Sequence, residues 1–243
     1  ENIHKKYFMA SQAIVTLFGD LTLNEAELYA KEFYNKFPRG EISATESHLI
    51  IPDIDETFMQ EYAFEPVNID LNCVAPPRDN DNIDHWTMKV IMAILNGSRG
   101  RIHKAVRGTN DLAYYGYARY TSGKDYGFFR LTSQTSVDKK DELVAVLQDQ
   151  IDKLKYEPVT REEIQSSVDD YSKMVITSID DNRLPYFMTQ YEAIGLGYNY
   201  LDKMKSYFDK VTPEDIQRVA NEYFTKVAVF ISQPNAEVKL MVQ

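Results

Sequence analysis

Metal and thiol ligands are scarce in this chain, whose 243 residues include four histidines and a single cysteine, Cys73. One cysteine excludes a disulfide framework, and so few histidines exclude a zinc ribbon or a thiolate cluster. His4, His48, His85 and His103 never fall at the i, i+3 or i, i+4 spacing of a helical zinc pair, and neither H-x-x-E-H nor H-E-x-x-H occurs. They read as surface or packing histidines, and no metal site is expected on this chain. Glycine and proline are also few, 10 and 9, which excludes a collagen-like, linker-rich or disordered chain. Positive charge is in the minority: 27 Lys and Arg face 37 Asp and Glu, a net charge of −10, so nucleic acid is excluded as a partner. No apolar run approaches the roughly 18 residues of a membrane span, and no basic start leads into an apolar signal segment. A soluble chain is expected, in the bacterial periplasm or cytoplasm if it is prokaryotic. It begins with Glu1 rather than Met, and removal of an upstream segment is expected.

The apolar pattern that is present predicts an α+β domain. Ala13 to Phe18 is a short apolar run closed by Gly19-Asp20, and Thr22-Leu23-Asn24-Glu25 has the form of a capping box. A strand and then a helix running to Phe37 are expected. Val67, Ile69, Leu71 and Cys73 alternate with Asn68, Asp70 and Asn72, a strand with one buried face in which Cys73 is a small buried apolar residue. Ile83 to Leu95 is apolar on most faces and reads as a deeply packed helix closed by Asn96-Gly97. Leu112 to Tyr120 and Gly127 to Ser133 flank the turn Ser122-Gly123-Lys124-Asp125 and form a hairpin. Leu143, Val144, Leu147, Ile151 and Leu154 line one helix face, Thr160 to Glu163 is a second capping box, Thr212-Pro213 opens a last helix, and Val227 to Ile231 is a last strand. The order fits a two-layer, mostly antiparallel sheet covered by helices. The pattern is continuous, which predicts one domain over residues 1–243.

Few motifs carry chemistry. No G-x-S-x-G elbow occurs, and the acid pairs Glu162-Glu163, Asp169-Asp170 and Asp180-Asp181 read as solvated helix faces. The one dense cluster is Arg99, Arg101, His103, Lys104 and Arg107, a basic patch running into Leu112-Ala113-Tyr114. Cations at a helix end complement its dipole. A fixed guanidinium there and a phenol at the start of the next strand also have the donors to converge on one carbonyl group.

At these residues the sequence resembles the insulinase, or pitrilysin-type, zinc metallopeptidase family, which includes the mitochondrial processing peptidases. Ile94 to Arg107, continuing to Tyr114, is similar to the family's stretch ending in a substrate-binding Arg and Tyr, and Arg107 and Tyr114 match that pair. Ala13 to Asp20 with the following helix, Pro158 to Ile164, and Val211 to Ile216 with Val219-Ala220 and Tyr223-Phe224 resemble landmarks of the family's second homologous half, in order along nearly the whole chain. The zinc motif belongs to the first half and is not here. The resemblance implies that zinc is bound by another half or subunit, that this chain by itself is inactive, and that its partners are a peptide substrate and a zinc-bearing homologous half, or a homo-oligomer for the isolated chain. It implies a catalytic Tyr114 that stabilises the tetrahedral intermediate and a substrate-binding Arg107. The alternative is an inactive structural or peptide-binding subunit of the same fold.

Overall fold

The computed structural model describes residues 2–40, 53–63, 65–97, 100–107, 111–180 and 182–235. His48 and Arg99 lie outside them. The chain divides into two compact units, Glu1–Ser47 with Val175–Met204 and His48–Met174 with Lys205–Gln243.

The second unit is built on a five-stranded mixed sheet, an α+β arrangement. Its strands are β1 (Thr57–Tyr62), β2 (Val67–Val74), β3 (Gly116–Ser122), β4 (Gly127–Thr135) and β5 (Ala228–Pro234), in the order β1-β5-β2-β4-β3. All pairs are antiparallel except β1 with β5. Period-two patterning decides which face is covered. Ile69, Leu71 and Cys73 stand opposite Ser133, Leu131 and Phe129 in register and are buried, while Asn68, Asp70, Asn72, Arg130 and Thr132 face the other way and are half-buried. Helices α3 (Ile83–Asn96), α4 (Arg101–Arg107) and α5 (Lys140–Tyr156) pack with the sheet, α9 (Pro213–Tyr223) packs with α3 and α5, and most of α6 (Arg161–Thr177) and the second half of α8 (Tyr200–Phe208) also belong to this unit. Between sheet and helices lies a core of Ile69, Leu71, Phe129, Leu131, Trp86, Ile91, Leu147, Ile151 and Phe224, all closed to solvent. Phe129 meets Phe224 at a centroid separation of 5.2 Å, and Trp86 stacks on Tyr207 at 4.2 Å.

Local signals start the helices as their residues dictate. The Asn82 side chain accepts from Asp84 N–H, and Thr212 with Asp215 forms a full capping box at α9. The box expected at Thr160 forms by half. Thr160 Oγ1 accepts from Glu163 N–H, but the Glu163 carboxylate, read above as part of a solvated face, is drawn away to Arg101. β3 begins at Gly116 rather than Leu112, because the N–H groups of Leu112 and Ala113 both turn back to Val106 O, at 2.9 and 3.3 Å. β1 carries no apolar alternation, and its partner β5 lies far along the chain, which is why no sequence pattern announces it.

Cys73 is buried in β2, and burial pushes its thiol pKa up to about 12. A thiol reagent at neutral pH is therefore expected to leave Cys73 unmodified in the native protein and to label it fully in denaturant. Labelling at equal rates in the two states contradicts this packing.

The first unit contains α1 (Asn2–Tyr7), a 3₁₀ turn at Ala10–Gln12, α2 (Leu23–Tyr34) and α7 (Leu184–Ala193). α2 starts on the predicted capping box of Thr22 with Glu25. Residues 13–18 form no strand, which corrects the expectation: an apolar extended segment becomes a strand only by pairing, and the described residues offer it no ladder.

Candidate functional site

The pair singled out in the sequence comes together at the end of the second unit's sheet where β3 begins. Arg107 is the last residue of α4, and its guanidinium carbon lies 5.3 Å from the Tyr114 ring centroid, a cation–π contact. Tyr114 is 82% exposed, and Arg107 is exposed as well. The backbone next to Tyr114 is held. Leu112 and Ala113 are in the core, Thr135 Oγ1 donates to Leu112 O at 2.6 Å, and Ser133 Oγ donates to Tyr115 O at 2.7 Å. Asp111, at φ 43°, turns the chain in the left-handed region, which a short polar side chain tolerates. The backbone on both sides of Tyr114 is thus fixed while its phenol projects outward.

α4 is positioned through its first residues. At its start, Gly100 lies so close to the last turn of α3 that a Cβ there would sit 2.5 Å from Leu95 O, a spacing only glycine allows. Arg101 then makes a two-pronged ion pair with Glu163 at the start of α6, Nε to Oε1 and Nη2 to Oε2 both at 2.8 Å. The basic patch therefore divides: Arg101 braces α4, His103 and Lys104 are exposed, and Arg107 meets Tyr114. Glu163→Gln is expected to cost about 1–2 kcal/mol, because it removes the charge facing a guanidinium that is largely buried. Urea unfolding measures it, and an unchanged midpoint would show that the pair braces nothing.

The sequence reading missed Asn96. Its side-chain oxygen accepts from Ala118 N–H at 2.6 Å and its amide nitrogen donates to Ala118 O at 2.8 Å. Asn96 thereby occupies the outer edge of β3 at its midpoint as a neighbouring strand would. The outer edge of β1 is not occupied in this way among the described residues, and Phe58 and Met59 are exposed there. A shallow cleft between Val74, Phe128 and Phe230 opens on the uncovered sheet face. In the β3/β4 register it lies five residues from Gly116, about 17 Å along the strands, so it is separate from the Arg107–Tyr114 pair.

The histidines are apart. His85 is buried in α3 with Nδ1 2.9 Å from Tyr120 Oη, His4 stacks on Phe8, and His103 is exposed. Among the described residues no group of three His, Cys, Asp or Glu converges to hold a metal ion. The described residues do not fit zinc. No helix among them is long and apolar enough to cross a membrane.

The family described as Peptidase M16 inactive domain matches residues 1–170. No curated protein sequence matches the chain. Among solved structures, a peptidase M16 inactive domain from Pseudomonas fluorescens is similar with a TM-score of 0.77 at 18% identity, over 94% of this chain and 55% of that one. A protease from Helicobacter pylori aligns with a TM-score of 0.71 at 16% identity, over 89% and 53%. An inactive peptidase domain attributed to a zinc protease of Bordetella parapertussis aligns with a TM-score of 0.59 at 16% identity, over 70% and 94%. The chain spans about half the length of the first two.

Proposed function

We propose, from the premise that this chain belongs to the peptidase M16 family as its inactive domain, that residues 1–243 act as one second-half domain, the non-zinc half of a zinc metalloendopeptidase. In this reading the chain closes the reaction chamber over a peptide substrate. Zinc held by the other half supplies the activated water. This chain contributes position: Arg107 holds a substrate carbonyl, and the Tyr114 hydroxyl donates to the oxyanion of the tetrahedral intermediate. The observation that carries the reading is the exposed Arg107–Tyr114 pair, with Tyr114 following the buried, hydrogen-bonded Leu112 and Ala113. The occupied edge of β3 favours a substrate lying against the pair over one added to that strand.

A peptidase assay on this chain, on a zinc-bearing half, and on the two mixed tests the proposal. Cleavage is expected only in the mixture. Equal turnover with and without this chain overturns the proposal in favour of a scaffold. A second reading, a peptide-binding module, is favoured by the exposed outer edge of β1. It predicts peptide affinity by this chain alone with no gain in rate.

A further inference from the structure

Strand alternation puts Arg119 of β3 and Arg130 of β4 on the uncovered face of the second unit's sheet, since their neighbours Ala118, Phe129 and Leu131 point into the core. The two arginines are direct cross-strand partners in the register. Like charges held directly opposite one another cost a sheet stability, and the surroundings do little to offset this pair. Asp70 Oδ1 is 4.0 Å from Arg130 Nε, beyond hydrogen-bond reach, and accepts instead from Thr132 Oγ1. Arg130 Nε is buried without an acceptor. Among the described residues neither guanidinium makes a hydrogen bond, and Arg119, which is exposed, has no ion pair. A local rule broken with no structural return is a mark of a functional site.

The face continues on both sides of the pair. Toward the start of β3, Tyr117 shares the face with Arg119 and stacks on Tyr115 at 6.2 Å, and Tyr115 directly follows Tyr114. In the other direction lies the apolar cleft between Val74, Phe128 and Phe230. Phe128 is two residues from Arg130, about 7 Å, which is the spacing of side chains i and i+2 on one face of an extended peptide. Guanidinium forks match a planar carboxylate, and the net charge of −10 argues against a nucleic-acid backbone as its source. A chain that reaches the arginines from the Tyr114 side runs on into the cleft, which favours a side-chain carboxylate over a chain end. We propose that Arg119 and Arg130 hold an acidic side chain of the peptide substrate, with an apolar side chain two positions away in the cleft, and so make the enzyme prefer acidic-apolar sequences. The proposal rests on the reading above that a peptide is bound at Arg107 and Tyr114. Arg119 is five residues past Tyr114, so the acidic residue falls within about 17 Å, or five extended residues, of the scissile bond.

The test uses the full chain mixed with a zinc-bearing half, and extended peptides that place Glu, Gln or Lys in turn at each position out to five residues from the cleaved bond. At one position Glu is expected to exceed Gln about 10-fold in kcat/KM, mainly through KM. Arg119→Gln is expected to abolish that preference, and Arg119→Glu to transfer it to Lys, a reversal that loss of structure alone would not produce. The urea midpoint of Arg119→Gln is expected to be no lower than that of wild type, because the substitution relieves repulsion from Arg130. Cleavage in which no position prefers Glu over Gln overturns this inference and leaves the proposed function standing. If the mixture cleaves nothing, the proposed function fails, and fluorescence anisotropy on this chain alone decides the inference. A labelled peptide containing Leu-Ala-Glu-Ala-Leu is then expected to bind about 10-fold more tightly than its Gln counterpart, and to lose that advantage with Arg119→Gln. Equal affinity for the two peptides overturns the inference as well.

Discussion

Tyr114→Phe is expected to lower kcat for peptide cleavage by the reassembled enzyme about 10²-fold, with little change in the stability of this chain. The substitution removes one hydroxyl. The ring stays, and with it the contact to the Arg107 guanidinium at 5.3 Å. At 82% exposure the side chain contributes little packing, so folding has little to lose. On the proposed function, closure of the chamber changes what that hydroxyl is worth. With water excluded, a donor held where negative charge develops needs no reorganisation when the charge appears, and removing one such donor costs roughly 3 kcal/mol in the transition state. The backbone at Leu112 and Ala113 supplies the fixed position. Turnover measured at saturating peptide decides the matter: an unchanged kcat removes Tyr114 from the chemistry. A rise in KM alone would make it a binding residue and not a transition-state donor.

The second large effect is on acid stability and comes from His85. Its ring is buried in α3 between Trp86 and Tyr120, with ring centroids 5.0 and 5.5 Å away. Tyr120 Oη donates to Pro76 O at 2.7 Å, so the 2.9 Å contact is completed by His85 Nδ1–H donating to the phenol oxygen. Burial, with added repulsion from Lys89 and Arg78, lowers the imidazole pKa to about 3. Its unfolded value is about 6.5. Between these two values the unfolded chain binds a proton that the folded chain refuses, so stability is full above about pH 6.5 and falls as pH drops toward 3. By pH 4 the loss from this one residue is roughly 3 kcal/mol. Carboxylates add their own acid dependence, so the measurement is a difference: urea unfolding of wild type and His85→Asn from pH 7 to pH 4. The variant is expected to be less stable at pH 7, and the gap to close as pH falls. A gap that does not change with pH would mean that the histidine is not held neutral.

Much of the sheet was legible because its code is local. The alternation of Val67 to Cys73 and the Gly123 to Asp125 turn between β3 and β4 specify faces and neighbours within a few residues of sequence. The helix starts at Thr22 and Thr212 were legible for the same reason, since a cap needs only the next three residues. Three features were not. β1 exists because β5 lies beside it, Glu163 leaves its capping position because Arg101 reaches it from α4, and Asn96 guards the edge of β3 from the end of α3. Each depends on a partner distant in sequence, and no local pattern encodes it. The candidate site divides along the same line. Arg107 and Tyr114 stand out in the sequence as a cation and a phenol after a helix, but their approach depends on the turn at Asp111 and the bonds to Val106.

The amino-acid sequence by itself determined the class of the protein: an acidic α+β chain, poor in metal ligands, with its helix caps, its buried sheet face and its one basic cluster. Those properties follow from residue chemistry and short-range periodicity. Tertiary structure alone decided that 13–18 forms no strand among the described residues while 57–62 becomes one. The reason is physical: a strand is defined by the hydrogen bonds of its neighbour, and an apolar run cannot tell from its own residues whether that neighbour is present.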